Sequence, residues 1–257
     1  IGGPLPARYY RAHEEALIND KRARLQKQVG EAKTKLASLT KELEKRIPRQ
    51  ASGFGLQAIG GGLGNDYIYD PANVTDGKPH YTVASSDGKA WSYFTDGKPA
   101  QRYGSKSGTN NGKWFGDLPK PEHITLGAYT EGDGRARGGD HKGAFAEVLI
   151  YGQVLNEEQR GALDRYVKAR YHGEGQAPEP PTDGLRFWLD AGDIDANAET
   201  PNPAEGSRIA AWVDKVTGTA LGQTEPARQP KMSRLGQAPA VYFDNSFLLG
   251  SIARGGL

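Results

Sequence analysis

At 257 residues, with 36% apolar residues and a formal charge of +2, the chain is neither a disordered polyelectrolyte nor a general nucleic-acid binder, and it exceeds one average domain. It has no cysteine, which excludes disulfides, thiolate zinc sites and c-type haem attachment within it, and no apolar run approaches the roughly eighteen residues of a membrane span. The 35 glycines, many in Asp-Gly or Asn-Gly pairs between short apolar runs, point to a turn-rich, mainly β body, and Ile1 in the first position reads as a processed or excised chain.

The first fifty residues differ from the rest. Ile18, Leu25, Val29, Ala32, Leu36, Leu39 and Leu43 recur at steps of three, four and one seven, with Lys, Arg, Glu and Gln between them. This spacing predicts a helical arm or coiled-coil hairpin over 1–50, softened at Gly30 and stopped at Pro48; a helix lying on its own protein's body is the alternative. Strands and turns follow over 51–130. The glycine run 60–64 has no strand-to-helix context for a nucleotide and reads as a hairpin or bulge. Asp87-Gly88 joins two alternating strands, with Tyr81 and Val83 expected opposite Trp91 and Tyr93, and Asp96-Gly97 ends the second. Residues 104–116 form a long polar loop, and "ITLGAY" is a further strand.

From Phe145 to Tyr151 the period is two, with Ala146, Val148 and Ile150 on one face and Phe145, Glu147, Leu149 and Tyr151 on the other. Asn156 stands as the N-cap of a helix, with Gln159 as the return partner of a capping box and Glu157 and Glu158 in the first turn. Leu163, Tyr166, Val167 and Arg170 make one stripe, and Gly173 ends the helix. The linker 173–183 holds three prolines. Residues 184–257 return to β pattern, with too few strands to build two packed sheets alone.

"HYTVASSDGKAWSYFTDGK", "ITLGAY" and "GAFAEVLIYGQVLNEEQRGALDRYVKARY" resemble the second half of a laminin-G-like, concanavalin A-like jelly-roll domain. "LRFWLDAGDI", "IAAWVDKVTG" and "APAVYFDNSFLL" resemble the opening strands of the same kind of domain. The resemblance implies a mainly β, two-sheet antiparallel jelly-roll sandwich over about three quarters of the chain. Its habitual setting implies export, to the periplasm or cell surface, as part of a large modular bacterial protein such as the planctomycete-type cytochrome c proteins, whose helical spacers residues 9–48 resemble. Pro79 stands where the family has tryptophan before His80.

The halves come in reverse order: the closing half is 51–172 and the opening half 184–257. Three arrangements account for that: one domain circularly permuted, two consecutive incomplete domains, or halves exchanged between neighbouring chains.

A jelly-roll glycosidase needs paired carboxylates about 5–9 Å apart, and no strand offers them at even spacing. Glu147 stands alone and reads as a structural hydrogen-bonding group. The five histidines lack zinc spacing, His141 reads as a solvated loop residue, and no nucleophile elbow or phosphate loop occurs. Asp190, Asp193, Asp195, Asn197 and Glu199 imitate the start of a calcium loop. Ala198 and Ala204 replace the glycine and glutamate such a loop needs, and an exposed acidic turn is the competing reading. Tyr67, Tyr69, Trp91, Tyr93, Trp114 and Phe115 are candidates for a sugar platform. Trp114 and Phe115, with Asn110 and Asn111, stand out because they sit in a polar loop.

These observations favour a non-catalytic recognition or scaffolding module that binds a glycan or a protein partner, with any redox or hydrolytic activity elsewhere in a parent protein. No cofactor is expected beyond calcium at the acidic turn. The alternatives are a glycan hydrolase or lyase of the same fold and a purely structural subunit, with self-association through the helical arm or through exchanged half-domains.

Overall fold

The structure is a computed structural model and describes residues 7–46, 51–58, 64–99, 112, 114, 117, 123–130, 136–138, 141–175 and 179–251. The chain divides into two compact units, Ile1–Arg49 and Gln50–Leu257. The first carries one helix, α1 (Ala7–Arg46). The hairpin alternative for this region is therefore corrected: the helix runs through Gly30 unbroken. A glycine costs an exposed helix only about 1 kcal/mol relative to alanine. Gly30 has open space around its Cα, and its carbonyl accepts from Thr34 Oγ1 at 3.0 Å. Pro48 lies outside the described residues.

The second unit is mainly β, with several antiparallel sheets that do not close on one another and one further helix. β1 (Ala51–Ala58) and β2 (Gly64–Asn73) pair as a hairpin. β3 (Thr82–Ser86), β4 (Trp91–Thr95) and β5 (Lys98–Pro99) form a meander. The turn between β4 and β5 is the Asp96-Gly97 pair, with both residues left-handed at φ 50° and 74°, as a two-residue hairpin turn requires. The expected register of β3 and β4 is corrected. Val83 faces Phe94, while Tyr93 faces Ala84 and Trp91 faces Ser86. A four-residue loop, 87–90, sets this register: the Asp87 carboxylate accepts from the N–H groups of both Lys89 and Ala90 at 2.8 Å.

Next come β6 (His123–Leu126), β7 (Tyr129–Thr130), β8 (Ala136–Gly138), β9 (Gly143–Phe145), β10 (Glu147–Tyr151) and α2 (Glu157–His172). After the linker follow β11 (Leu185–Asp190), β12 (Ala211–Val213), β13 (Ala220–Gly222), β14 (Lys231–Leu235), β15 (Ala238–Phe243) and β16 (Leu248–Ser251). Strands from the two sides of the linker pair with each other within the chain. β10 lies antiparallel to β11, β9 to β15, and β6 to β16. The sheet orders are β12-β13-β16-β6 and β14-β15-β9, so each mixes early and late strands.

The single strand expected over 145–151 is also corrected, because Ala146 separates β9 from β10 and gives its carbonyl to Ala191 N–H at 2.9 Å. Phe145 consequently packs into the same core as Val148 and Ile150. That core contains Phe187, Leu189, Trp212, Leu221, Val241, Phe243 and Leu248, each nearly or fully buried. Leu149 and Tyr151, on the other face of β10, pack with Tyr81 and Val83 against Leu155, Leu163, Tyr166 and Val167, the last three of which lie on α2. The helix carries the expected reciprocal capping box, Asn156 with Gln159, and ends on Gly173 at φ 72°. β10 is thus sandwiched between the main core and α2.

Candidate functional site

Two clusters of chemistry-bearing side chains among the described residues bear on the candidate site. The first lies between α2, β10 and β11. The stripe of α2 that carries Tyr166 also carries Arg170, one turn on. The Arg170 Nη2 bonds Asp190 Oδ1 at 2.5 Å, and its Nη1 stands 3.6 Å from Glu147 Oε1. Glu147 Oε1 also accepts from the Tyr166 hydroxyl and from Trp188 Nε1 at 3.0 Å. Asp190 meets a second cation, Lys215, whose Nζ lies 3.5 Å from Asp190 Oδ2, 3.0 Å from Asp193 Oδ2 and 4.4 Å from the centre of the Trp188 ring. The Glu147 and Asp190 side chains are only 7% and 5% exposed, so these contacts operate away from bulk water.

Burial raises the Glu147 carboxyl above the usual carboxylate range, against the Tyr166 hydrogen bond and the Arg170 charge. Burial and the nearby Glu147 charge push the Tyr166 and Tyr171 phenols far up, and the Tyr151 phenol up to about 12. The arrangement locks helix to sheet. Asp214, fully buried, does the same for the next element. Its carboxylate accepts from the N–H groups of Trp188 at 2.7 Å, Val216 at 3.1 Å and Thr217 at 2.9 Å, and from the Thr217 hydroxyl. Glu147 reads from the sequence as a structural acceptor. Arg170, Trp188, Asp214 and Lys215 do not stand out in the sequence as one cluster, because their contacts span 20 to 41 positions; the signal is an arginine on the apolar stripe of α2.

The acidic turn is dispersed by these bonds. Asp190 and Asp193 face Arg170 and Lys215, the Asp195 carboxylate accepts from Asn197 N–H at 3.2 Å, and Asn197 Oδ1 accepts from Glu199 N–H at 3.2 Å. Among the described residues no group of three or more His, Cys, Asp or Glu side chains is arranged to hold a metal ion.

The second place is the end of the β3–β4 hairpin. Ser86 Oγ donates to the Gly112 carbonyl, which ties Gly112 to the hairpin. Trp114 N–H donates to Asp117 Oδ2 at 2.7 Å, and Asp117 N–H returns to the Trp114 carbonyl at 3.0 Å. The Trp114 ring stands edge-on to Trp91, 6.4 Å between centroids and 75° between planes. Trp91, Trp188 and Trp212 are buried; Trp114 is half-exposed. Of the other aromatic candidates, Trp91 and Tyr93 belong to the interior at 3% and 6% exposure, and Phe115, Asn110, Asn111 and the side chains of Tyr67 and Tyr69 lie outside the described residues.

No described helix is long and apolar enough to cross a membrane. Comparison of the chain with protein-family models, curated proteins and solved structures finds no match.

Proposed function

We propose that the second unit is a laminin-G-like, concanavalin A-like jelly roll in permuted order, acting as a non-catalytic recognition or scaffolding module of an exported bacterial protein. The pairing of β6, β9 and β10 with β16, β15 and β11 supports the permuted reading, since the closing and opening halves then complete one body. The observation that carries recognition is Trp114: a half-exposed indole in a polar loop, braced on a buried tryptophan and fixed by Asp117. Such a ring offers a sugar a flat apolar face beside hydrogen-bonding groups. The engagement of Glu147 and Asp190 by Arg170, Trp188 and Lys215 supports a structural over a catalytic role for these acids.

Screening the intact protein on a glycan array, followed by titration of any retained glycan, tests the reading. Tryptophan fluorescence should respond to the glycan, and Trp114→Ala should weaken binding at least about tenfold, the loss of roughly 1.4 kcal/mol or more of stacking. Retention of no glycan, or wild-type affinity in the variant, overturns the glycan assignment of this loop; cleaved products in the mass spectrum overturn the non-catalytic reading.

A further inference from the structure

Helix α1 carries an apolar seam that its own unit leaves uncovered. Ile18, Leu25, Val29, Leu36 and Leu39 are 63%, 55%, 54%, 67% and 52% exposed, and Ile18, Leu25 and Val29 line one shallow groove. With Val29 and Leu36 at heptad position a, Leu43 takes the next a, and Ile18, Leu25, Ala32 and Leu39 fill every d between residues 18 and 43. Within that span only Arg22 interrupts the a positions. A repeat of 3.5 keeps such a seam on one line only where the helix winds around another helix; a helix resting on a sheet face uses a broader 3.6-residue stripe. From residue 18 to residue 43 the seam runs about 39 Å at 1.5 Å per residue, well beyond the roughly 12–15 residues at which an isolated helix is marginal.

We propose that the occupant of this seam is α1 of a second copy of the chain, in an antiparallel two-stranded coiled coil. Arg22 decides the direction. In a parallel pair it stacks against its own copy, two guanidinium groups in one core layer. In an antiparallel pair a faces d, and a dyad between residues 30 and 31 sets Arg22 beside Leu39, Leu25 beside Leu36 and Val29 beside Ala32. Arg22 then extends past a leucine toward solvent. The flanking positions agree with this register, in which e neighbours e and g neighbours g, two residues off level: Gln26 comes nearest Lys33, Gln28 nearest Lys35, and Lys21 nearest position 42, a glutamate. No like charges oppose, and one opposite-charge pair forms on each side of the dyad. The interface is isologous, so the assembly closes at two copies.

Sedimentation velocity of the full chain gives the mass. A dimer of the 27.7 kDa chain is expected, with Leu25→Glu/Leu36→Glu halving the mass while the melting temperature of the β unit stays unchanged. The chain has no cysteine, so Leu25→Cys and Leu36→Cys report direction cleanly. Mixed and oxidised, the two variants should cross-link to each other, and each alone should not. A wild-type monomer, as when the seam is covered by its own chain or awaits another protein, overturns the proposal. Self-cross-linking of each variant alone overturns the antiparallel arrangement.

Discussion

Arg170 ties three elements with one side chain. Its guanidinium leaves α2, passes over the rings of Tyr166 and Tyr171 at 5.7 and 5.8 Å, and ends between the carboxylates of β10 and β11. An ion cluster this deep is costly to break one member at a time, because the remaining charge stays desolvated. Glu147→Ala should therefore destabilise the β unit by about 3–5 kcal/mol, stranding the Trp188 and Tyr166 donors as well. Glu147→Gln keeps an acceptor for both and should cost less, about 1–3 kcal/mol. Urea unfolding followed by tryptophan fluorescence measures both; equal stability of the alanine variant and the wild type would show that the cluster does not hold the helix.

At the scale of elements, the β3–β5 meander is fastened by His80 at the entrance of β3. Its Nδ1 lies 2.8 Å from Asp96 Oδ2 and its Nε2 lies 2.8 Å from Asp76 Oδ1. Carboxylates only accept, so both contacts are hydrogen bonds when the ring carries two protons. Burial lowers the affinity of His80 for its proton, but the two carboxylates outweigh it, and the net shift is upward from 6.5. A raised folded-state value means that the clamp's stability is complete below about pH 6.5 and fades as pH rises through the folded-state value. His80→Gln should lower the melting temperature by roughly 2–4 °C at about pH 6, the shift expected for about 1 kcal/mol in a domain of this size. At about pH 8.5 the difference should shrink. A difference that is constant with pH would mean the contact is not ionic.

At the scale of the whole molecule, the linker 173–183 leads from α2 to β11, and β11 lies beside β10, the strand that precedes α2. The chain could therefore be cut there without separating these two strands. With a protease site inserted at Gly175, the cleaved protein should elute as one species under native conditions. Its two pieces should part only in denaturant, held until then by the β10–β11, β9–β15 and β6–β16 pairings. Dissociation on cleavage alone would show that the linker, rather than the shared core, keeps the halves together.

The residues by themselves determined the features that close within a few positions. The capping box of α2, its stripe of Leu163, Tyr166 and Val167, its terminal glycine and the Asp96-Gly97 turn all rest on bonds between near neighbours, so local residue types suffice to specify them. The uninterrupted α1 was half legible: its apolar repeat was plain, but whether Gly30 bends so long a helix depends on a balance of about 1 kcal/mol. Tertiary structure alone decided which strands pair, where Ala146 divides β9 from β10, which residue faces Val83, and that Arg170 meets Asp190. Alternation names the faces of a strand, whereas burial of apolar area is non-directional and does not say which partner covers them. The polar joint follows the same rule: its members find one another only after two sheets and a helix have packed.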